Sequence, residues 1–433
     1  MGGLTFEQYS KDYRNKFSIY ASAQHTHRDS YYGGLGGGRE TADSVLASNA
    51  YGVTRDLAAV GGAQFTHTFV NEDILTAGIE QQISRVEDET AGYNRHIDQR
   101  SNTTGIYAQY EWKPIDRFKT LIGARYDYVD INGKYTLGNL NRTSAVTTGA
   151  FSPRLTLLYD ITGELQFRGG YARGFRTPQA FNEDMHVSSV GGDQQFILIG
   201  EGVETEYSNA YTGSLNFMKS FAGTQVNILL EGFYTDLRNP FTYVSVGTIG
   251  ENLRLEQMVN GEGAYVTGLN IELSVAPSDQ FNFQAGGTLQ QSRYKKAQEL
   301  FEGADGDPAV FIKQFVRTPN NYGYLNANWK PTEHFGVDLT GVYTGSMIAP
   351  HIVRESGYPD LVTTPKFFEL NLKLTHAFHI RSTFALEISG GIQNAFNSYQ
   401  KDFDSGASRD SDYIYGPARP RTYFVGLKIG NLQ

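Results

Sequence analysis

The stretch that decides the fold is Phe368-Glu369-Leu370-Asn371-Leu372-Lys373-Leu374-Thr375. The phenylalanine and the three leucines share one face of an extended chain, and the four polar residues share the other. A period of two is typical of a β-strand with one apolar face and one wet face. Because the pattern recurs along the chain, the sequence predicts an all-β protein, a transmembrane antiparallel β-barrel whose outside contacts lipid and whose inside contacts water.

The alternation predicts about sixteen strands, at residues 16–25, 56–68, 74–86, 103–113, 119–131, 149–160, 164–175, 204–218, 224–236, 261–275, 281–293, 320–330, 335–347, 366–377, 382–394 and 420–430. The connections alternate between short turns and long loops. The long loops are expected at 26–50, 87–102, 132–148, 176–203, 237–260, 294–319, 348–365 and 395–419. Short turns on one rim and long loops on the other are typical of transmembrane barrels. We therefore expect both chain ends on the short-turn rim, with residues 1–15 as a segment before the barrel of residues 16–433.

Composition narrows the function classes. The chain has no cysteine, which excludes disulfides and sites that depend on cysteine. Its net charge of −9 argues against nucleic-acid binding. The sequence has no apolar run of about 18 residues, so a transmembrane helix is not expected. The first ten residues do not resemble a secretory signal, so we expect a mature or engineered chain, or the C-terminal piece of a longer one.

Aromatic residues make up 13% of the chain and are expected at the membrane interfaces. Trp112 and Trp329 each precede a short turn that contains a proline. They are expected to anchor the inner aromatic girdle of the barrel, and the alternative is an ordinary aromatic residue at a strand end.

Five segments resemble the TonB-dependent receptor family and occur in that family's order, at 170–178, 204–213, 266–273, 392–399 and 420–427. One of them is Asn394-Ala395-Phe396-Asn397-Ser398-Tyr399, which resembles the end of the family's penultimate strand. The resemblance implies a barrel of about 22 strands in the outer membrane of a Gram-negative bacterium. It also implies an N-terminal plug and a TonB-contacting segment, both of which this sequence lacks, and the chain does not end on the aromatic residue usual for the family.

By this resemblance, the family member imports a ferric siderophore, haem or cobalamin through the outer membrane, with energy supplied through the TonB complex. This chain is then the partial barrel of such a receptor. Loop 395–419 is similar to receptors of the Bacteroidetes cobalamin and siderophore type, for which a surface lipoprotein is a further expected partner. A passive porin of about sixteen strands is the alternative. We do not expect an enzyme, because no convincing Ser-His-acid arrangement occurs in chain order.

Residues of the outer loops are the candidates for ligand binding. His25 and His27 could bind a metal or haem iron, as could the weaker pair Met185-His186, with solvated loop histidines as the alternative. The acidic residues of the last loop could bind calcium or form a solvated acidic loop; they are Asp402, Asp404, Asp410 and Asp412. We expect no other cofactor.

Aromatic residues of the same loops could form a lip that holds a large ligand, or they could belong to the outer girdle; they are Tyr31, Tyr32, Tyr413 and Tyr415. Arg176 lies at the start of the largest outer loop and is a further ligand candidate. Nine charged residues are expected inside the barrel: Arg125, Asp127, Arg154, Arg168, Glu206, Glu231, Glu272, Asp338 and Glu369. There they would set ion selectivity in an open pore, or would contact the plug in a receptor.

Overall fold

The computed structural model describes residues 1–31, 41, 45, 51–179, 194–249, 253–301, 308–353, 358–381, 384–405, 410 and 413–430. Its strands are β1 (Gly2–Tyr9), β2 (Asn15–Tyr31), β3 (Tyr51–Thr68), β4 (Ile74–Thr90), β5 (Arg95–Ile115), β6 (Phe118–Leu137), β7 (Leu140–Asp160), β8 (Leu165–Arg176), β9 (Gln194–Ile199), β10 (Glu206–Phe221), β11 (Thr224–Arg238), β12 (Phe241–Ile249), β13 (Leu253–Asn260), β14 (Ala264–Ser278), β15 (Phe281–Phe301), β16 (Val310–Gln314), β17 (Asn321–Trp329), β18 (Phe335–Thr344), β19 (Ile348–Val353), β20 (Tyr358–Thr363), β21 (Phe367–Arg381), β22 (Phe384–Gln393) and β23 (Thr422–Gly430). A single 3-10 turn, Ala91–Tyr93, connects β4 to β5. Within the described residues, no helix is long and apolar enough to cross a membrane.

Eighteen strands form one sheet, which is the wall of the molecule. Seventeen of them follow one another as antiparallel neighbours, in the order β1 to β8, β10, β11, β14, β15, β17, β18, β21, β22 and β23. The eighteenth, β16, pairs with the outer part of β15 beyond β17. All sixteen strands that the alternation predicts are present in this sheet, and the structure adds β1 and β16.

The first strand lies inside the segment expected to precede the wall. β1 pairs along its whole length with β2, from Gly2 opposite Ala23 to Tyr9 opposite Lys16. Its alternation covers only Leu4 and Phe6 and is too short to be recognised in the sequence. Because Gly2 lies opposite the middle of β2, the expectation that both chain ends lie on the short-turn rim is wrong for the N-terminal end. Among the described residues β1 pairs only with β2, and β23 only with β22, so these two strands are the edges of the sheet.

Two of the expected long loops are strand extensions. Residues 87–102 and 132–148 belong mostly to β4, β5, β6 and β7, which remain paired up to tight turns. The turn between β6 and β7 contains Gly138, whose φ of +55° suits a residue without a side chain. These extensions lie above the lipid, where polar residues can occupy both faces. The apolar alternation therefore disappears from the sequence although the strand continues.

The two faces of the wall differ as the alternation predicts. Large apolar side chains of the outward face are well exposed, among them Phe17, Ile19, Phe65, Ile79 and Ile106. On β10 the outward residues Tyr211 and Phe221 are ten positions apart, and on β6 Phe118 and Tyr128 have the same spacing. Ten residues extend about 33 Å along a strand. A tilt of about 40° reduces this length to about 25 Å, the height of the apolar band of outer-membrane barrels.

Aromatic residues lie at both borders of the apolar band. Trp112 and Trp329 lie on the outward face near the short-turn ends of β5 and β17, where they are 44% and 48% exposed. At the opposite border, Tyr171, Tyr211, Tyr234 and Tyr265 form a row across four neighbouring strands, with successive ring centroids 5.0, 6.4 and 6.2 Å apart. We call these four residues the outer tyrosine row.

The inward face is polar and internally bonded. Tyr20 donates a hydrogen bond of 2.6 Å to Glu80, whose other oxygen lies 3.1 Å from Arg125. Arg125 also pairs with Asp127 at 2.7 Å. A second part of this face, between β7 and β14, encloses a cavity of about 440 Å³ whose lining includes Arg154, Arg168, Glu231 and Glu272. By strand alternation, all nine charged residues expected inside the barrel lie on this face.

We predict that the two faces of β11 respond oppositely to the same substitution. Leu230 faces outward near the middle of the apolar band and is 41% exposed. Its neighbour Leu229 faces inward, opposite Glu272 of β14. Leu230→Arg places a cation in lipid and is expected to lower the free energy of unfolding by about 2–4 kcal/mol.

The matched variant Leu229→Arg places the same cation near a carboxylate and is expected to have little effect. The measurement is urea unfolding in outer-membrane vesicles, followed by the mobility difference between heated and unheated protein on a gel. Equal destabilisation by the two variants would contradict the assignment of the faces.

Candidate functional site

The described part of the last outer loop, residues 394–405, 410 and 413–421, folds inward over the end of β21. Phe367 lies on the inward face of β21 and is only 3% exposed because this loop covers it. The ring of Tyr415 lies 6.1 Å from the ring of Phe367. A side chain at Gly416 would come within 2.5 Å of the same ring, so glycine is required for this close approach. The loop therefore forms part of the outer mouth.

Asn394 fixes the base of this loop. Its Nδ2 donates to the backbone oxygens of Ser398 and Arg419, at 3.2 and 2.8 Å, and its Oδ1 accepts from the Ser398 N–H at 2.8 Å. Asn394 has a φ of +50°, a conformation that asparagine tolerates better than most residues. It is 2% exposed. These bonds explain why the motif at the end of β22 begins with asparagine.

Gln400 connects the two halves of the loop. Its Nε2 donates to the Tyr413 carbonyl at 3.0 Å, and its Oε1 accepts from the N–H groups of Tyr415 and Gly416, at 2.9 and 3.2 Å. The side chain is 1% exposed, so its polar atoms bond to backbone instead of water. Gln400 thereby determines the positions of the two tyrosines.

Asp402 lies between these tyrosine hydroxyls. It accepts hydrogen bonds from Tyr415 at 2.5 Å and from Tyr413 at 3.2 Å. Burial, followed by the Asp402 carboxylate, raises the pKa of both hydroxyls above the usual value for tyrosine. Both tyrosines are therefore neutral hydrogen-bond donors at physiological pH.

His351 joins this loop to the hairpin formed by β19 and β20. Its ring stacks on Tyr413 with centroids 3.8 Å apart, and its Nε2 donates to Asp404 Oδ2 at 2.9 Å. The same carboxylate oxygen accepts from the Asp410 N–H at 2.8 Å. The Asp410 N–H and, to a smaller extent, His351 lower the pKa of the Asp404 carboxyl. We call His351, Gln400, Asp402, Asp404, Tyr413 and Tyr415 the mouth cluster.

The centre of the mouth cluster is buried: Tyr413 and Tyr415 pack against His351 and Phe367, and Gln400 bonds to backbone. The cluster therefore holds the described part of the last outer loop in one shape. The structure brings together Asp402 and Asp404, predicted as calcium ligands or a solvated acidic loop, with Tyr413 and Tyr415, predicted as an aromatic lip or part of the outer girdle. It adds His351 and Gln400. No local pattern could have identified His351, because its partners lie more than fifty positions away.

Metal binding at this loop remains a prediction. Across the described part of the chain, no three His, Asp or Glu side chains are arranged to hold a metal ion. The carboxylates of Asp402 and Asp404 accept hydrogen bonds from tyrosine and histidine. Asp412 lies outside the described residues, so the predicted set of four calcium ligands is only partly visible.

The predicted histidine pair lies elsewhere. His25 and His27 belong to β2, and both share the outward face with Phe17 and Ile19. His27 lies 3.2 Å from Asp29. They therefore point away from the interior of the wall and do not join the mouth cluster.

The remaining candidates lie apart from the mouth cluster. Tyr31 packs against Tyr51 at the outer end of β2 and β3, with ring centroids 4.8 Å apart. Arg176 lies 3.3 Å from Glu206, and its guanidinium group lies over the ring of Phe241 at 4.8 Å. Three further candidates lie outside the described residues: Tyr32, Met185 and His186.

A second surface of the mouth lies on the strand extensions, which sequence analysis treated as loops. Ile97 and Tyr135 are buried beneath Leu198 and Leu255, which come from the small sheet formed by β9, β12 and β13. A cavity of about 730 Å³ opens between this sheet and residues 142–147 of β7. Its size suits a drug-sized ligand.

Residues 2–395 match the family model described as TonB dependent receptor-like, beta-barrel. Two Vibrio cholerae O1 proteins, both called iron-regulated outer membrane virulence protein, are 22% identical over 371 residues. The match covers 83% of this chain and 49% of each relative, so the chain spans about half the length of the curated relatives that it matches.

Solved structures with the same fold include three iron or siderophore receptors. The siderophore receptor PiuA of Acinetobacter baumannii has a TM-score of 0.70 at 12% identity, with 99% of this chain and 63% of PiuA covered. The ferric enterobactin receptor PfeA of Pseudomonas aeruginosa has a TM-score of 0.68 at 18% identity, with 99% and 60% covered. The FrpB iron transporter of Neisseria meningitidis has a TM-score of 0.67 at 12% identity, with 98% and 62% covered.

We predict that Asn394→Ala releases the last outer loop while leaving the wall intact. The variant removes three hydrogen bonds from a buried site, which is expected to lower the free energy of local opening by about 2–4 kcal/mol. The measurement is amide hydrogen exchange of residues 394–405 and 413–421 compared with β21. Asn394→Asp keeps the Oδ1 acceptor and is expected to have a smaller effect, whereas unchanged exchange in Asn394→Ala would refute the anchoring role.

We also predict that acid loosens the contact between the two outer loops. The pKa of Asp404 is lower in the folded protein than its usual 3.8, so its ionised form stabilises the loop above pH 3.8. This stabilisation is lost as the pH falls below 3.8 and through the lower pKa of the folded protein. The measurement is hydrogen exchange of residues 400–405 against pH, corrected for intrinsic rates. In Asp404→Asn this acid-dependent step is expected to disappear, and its persistence would assign it to another group.

Proposed function

The chain belongs to the TonB-dependent receptor family, and we propose that it forms most of the wall and the outer mouth of an importer of ferric siderophores. The protein is located in the outer membrane of a Gram-negative bacterium. The observation that carries the proposal is the match of the family model to residues 2–395, which include most of the seventeen successive strands. Iron or siderophore transport is named for the curated and structural relatives.

The dimensions and chemistry of the wall support a large cargo. Barrels of about 22 strands enclose a plugged lumen wide enough for a nutrient that ordinary pores exclude. Here seventeen successive strands present a polar inner face. At the outer end, the rings of Tyr413 and Tyr415 are buried against His351 and Phe367, so the mouth cluster holds the shape of the opening through which a cargo would enter.

The proposed partners are the TonB complex, which would supply energy from the inner membrane, the outer-membrane lipid and the siderophore. Haem and cobalamin are alternative cargoes. A surface lipoprotein, a Bacteroidetes origin and calcium in the outer loops stay predictions. We propose no catalytic activity.

A passive porin is not favoured. The family model that matches residues 2–395 describes a TonB-dependent receptor barrel, and the curated relatives are called iron-regulated outer membrane proteins.

We predict that deleting the gene from its host abolishes energy-dependent uptake of at least one ferric siderophore. Radiolabelled iron uptake is measured with a panel of ferric siderophores, haem and cobalamin, with and without a protonophore. Restoration by the wild-type gene, but not by an empty vector, is expected.

The controls separate the alternatives. Uptake of small sugars that is lost with the gene but insensitive to the protonophore would indicate a porin. Loss of haem or cobalamin uptake alone would keep the receptor and change the cargo. Unchanged uptake of the whole panel after gene deletion would refute the importer.

A further inference from the structure

Two tyrosines and a valine are exposed together on the inward face of the wall, near its outer end. Tyr322 and Tyr324 lie on β17, and Val342 lies opposite Tyr324 on β18. Strand alternation places all three on the face opposite to that of Trp329, which points outward. Tyr322, Tyr324 and Val342 are 41%, 41% and 46% exposed. We call these three residues the inner aromatic patch.

The inner aromatic patch begins at the level of the residue that the last outer loop covers. Tyr322 pairs in register with Thr344 of β18, and Thr344 pairs with Phe367 of β21. Neighbouring strands are about 4.8 Å apart, so Tyr322 lies about 10 Å from Phe367 around the wall. Tyr324 lies two residues farther from the outer end, about 7 Å along the strand. A ligand that passed the mouth cluster would therefore reach this patch next.

The wall supports the ring of Tyr324 from one side only. The ring lies over Gly286 of β15, where a Cβ atom would come within 2.5 Å of Tyr324 Cε1 and 2.9 Å of Cζ. Because Gly286 has no side chain, the ring can rest against the backbone of the neighbouring strand. Its position is thus fixed by the wall, while its other face stays open to the interior.

The hydroxyl groups of the patch are also available. Elsewhere on the inward face, Tyr20 donates to Glu80 at 2.6 Å and Tyr107 donates to Gln64 at 2.9 Å. Among the described residues, the hydroxyls of Tyr322 and Tyr324 have no such partner. The rings and the hydroxyls of the inner aromatic patch can therefore both contact a ligand.

We propose that the inner aromatic patch binds the iron-chelating rings of a catecholate siderophore inside the wall, below the mouth. The inference rests on the proposed function, the import of ferric siderophores, and names the chemical class of the cargo. Aromatic rings pack on tyrosine in offset or edge-to-face arrangements. The tyrosine hydroxyls can donate hydrogen bonds to the oxygen atoms of a catecholate. A siderophore with aliphatic hydroxamate groups offers no ring to the patch.

The test measures the siderophore concentration that gives half-maximal energy-dependent uptake in the gene-deletion host, supplied with the wild-type or a variant gene. The probes are a set of ferric catecholates that includes ferric enterobactin and a set of ferric hydroxamates that includes ferrioxamine B. One packed pair of rings contributes about fivefold in affinity. Tyr322→Ala/Tyr324→Ala is therefore expected to raise the half-maximal concentration of a transported catecholate about 25-fold.

Two control variants separate the rings from general effects on the wall. Tyr322→Phe/Tyr324→Phe keeps both rings and is expected to restore most of the catecholate affinity. Tyr343→Ala is the matched control, because Tyr343 follows Val342 directly but faces outward, opposite Gly323. It is expected to leave uptake as in wild type. The mobility difference between heated and unheated protein on a gel shows that each variant is folded.

A photo-crosslinker in place of Tyr324 identifies the occupant of the patch. Cells that carry p-benzoylphenylalanine at this position are irradiated in the presence of a transported catecholate that is radiolabelled in its carbon atoms. We expect label on the receptor after irradiation. A cross-link to protein alone, without label, would assign the patch to a protein segment and overturn the proposal.

Failure of this inference differs from failure of the proposed function. Wild-type uptake of ferric hydroxamates but of no ferric catecholate would overturn the inference and keep the importer. Unchanged catecholate uptake by the folded double alanine variant would do the same. If the wild-type gene restored energy-dependent uptake of no ferric siderophore, the importer would be refuted and the inference would fail with it.

Discussion

The whole structure depends on one constraint: the backbone N–H and C=O groups that lie in lipid must form hydrogen bonds with one another. Each unpaired N–H or C=O group in the hydrocarbon costs several kcal/mol, so strands can cross the membrane only as members of a continuous ladder. The registers of β2 to β7 run without a break through the apolar band. Once the ladder is fixed, alternation assigns every side chain to lipid or to the interior. The polar network of Tyr20, Glu80 and Arg125 therefore follows from the same pairing that exposes Ile79 and Ile106.

Above the lipid this constraint is weaker, because water can bond to the backbone. There, hydrogen bonds from side chains can hold the chain in place of bonds between strands. β5 to β7 still pair beyond the membrane, but the described residues of the last outer loop belong to no strand. There Asn394 and Gln400 supply the hydrogen bonds that a neighbouring strand would otherwise provide. Each bonds to three backbone groups while almost fully buried, so each takes the place of several ladder bonds. The mouth can thus have an irregular shape, and His351 can join two loops that are distant in sequence.

The wall could be predicted from the sequence because contact with lipid requires apolar and polar residues to alternate. This alternation is visible within each short stretch of sequence. Sixteen strands, the polar interior and the positions of Trp112 and Trp329 could be predicted in this way. β1 was missed because Leu4 and Phe6 alone make the period too short. The extensions of β5 to β7 were missed because water on the outside removes the apolar half of the pattern. Of the mouth cluster, the tyrosines and aspartates stand out in one loop of the sequence, whereas the contact with His351 is purely tertiary.

The alternation that builds the wall also lets one strand present side chains to two different environments, one on each face of the sheet. On β8, Arg173 faces the lipid side and lies over Tyr207, whereas Arg176, three positions later, faces the mouth and pairs with Glu206. The two guanidinium groups are close in sequence but separated by the sheet. Their partners differ accordingly, since Arg176 has a carboxylate within reach and Arg173 has none among the described residues. A charge on the outer half of this wall therefore has to be interpreted by its face, because the sheet separates inward cations such as Arg176 from outward cations such as Arg173.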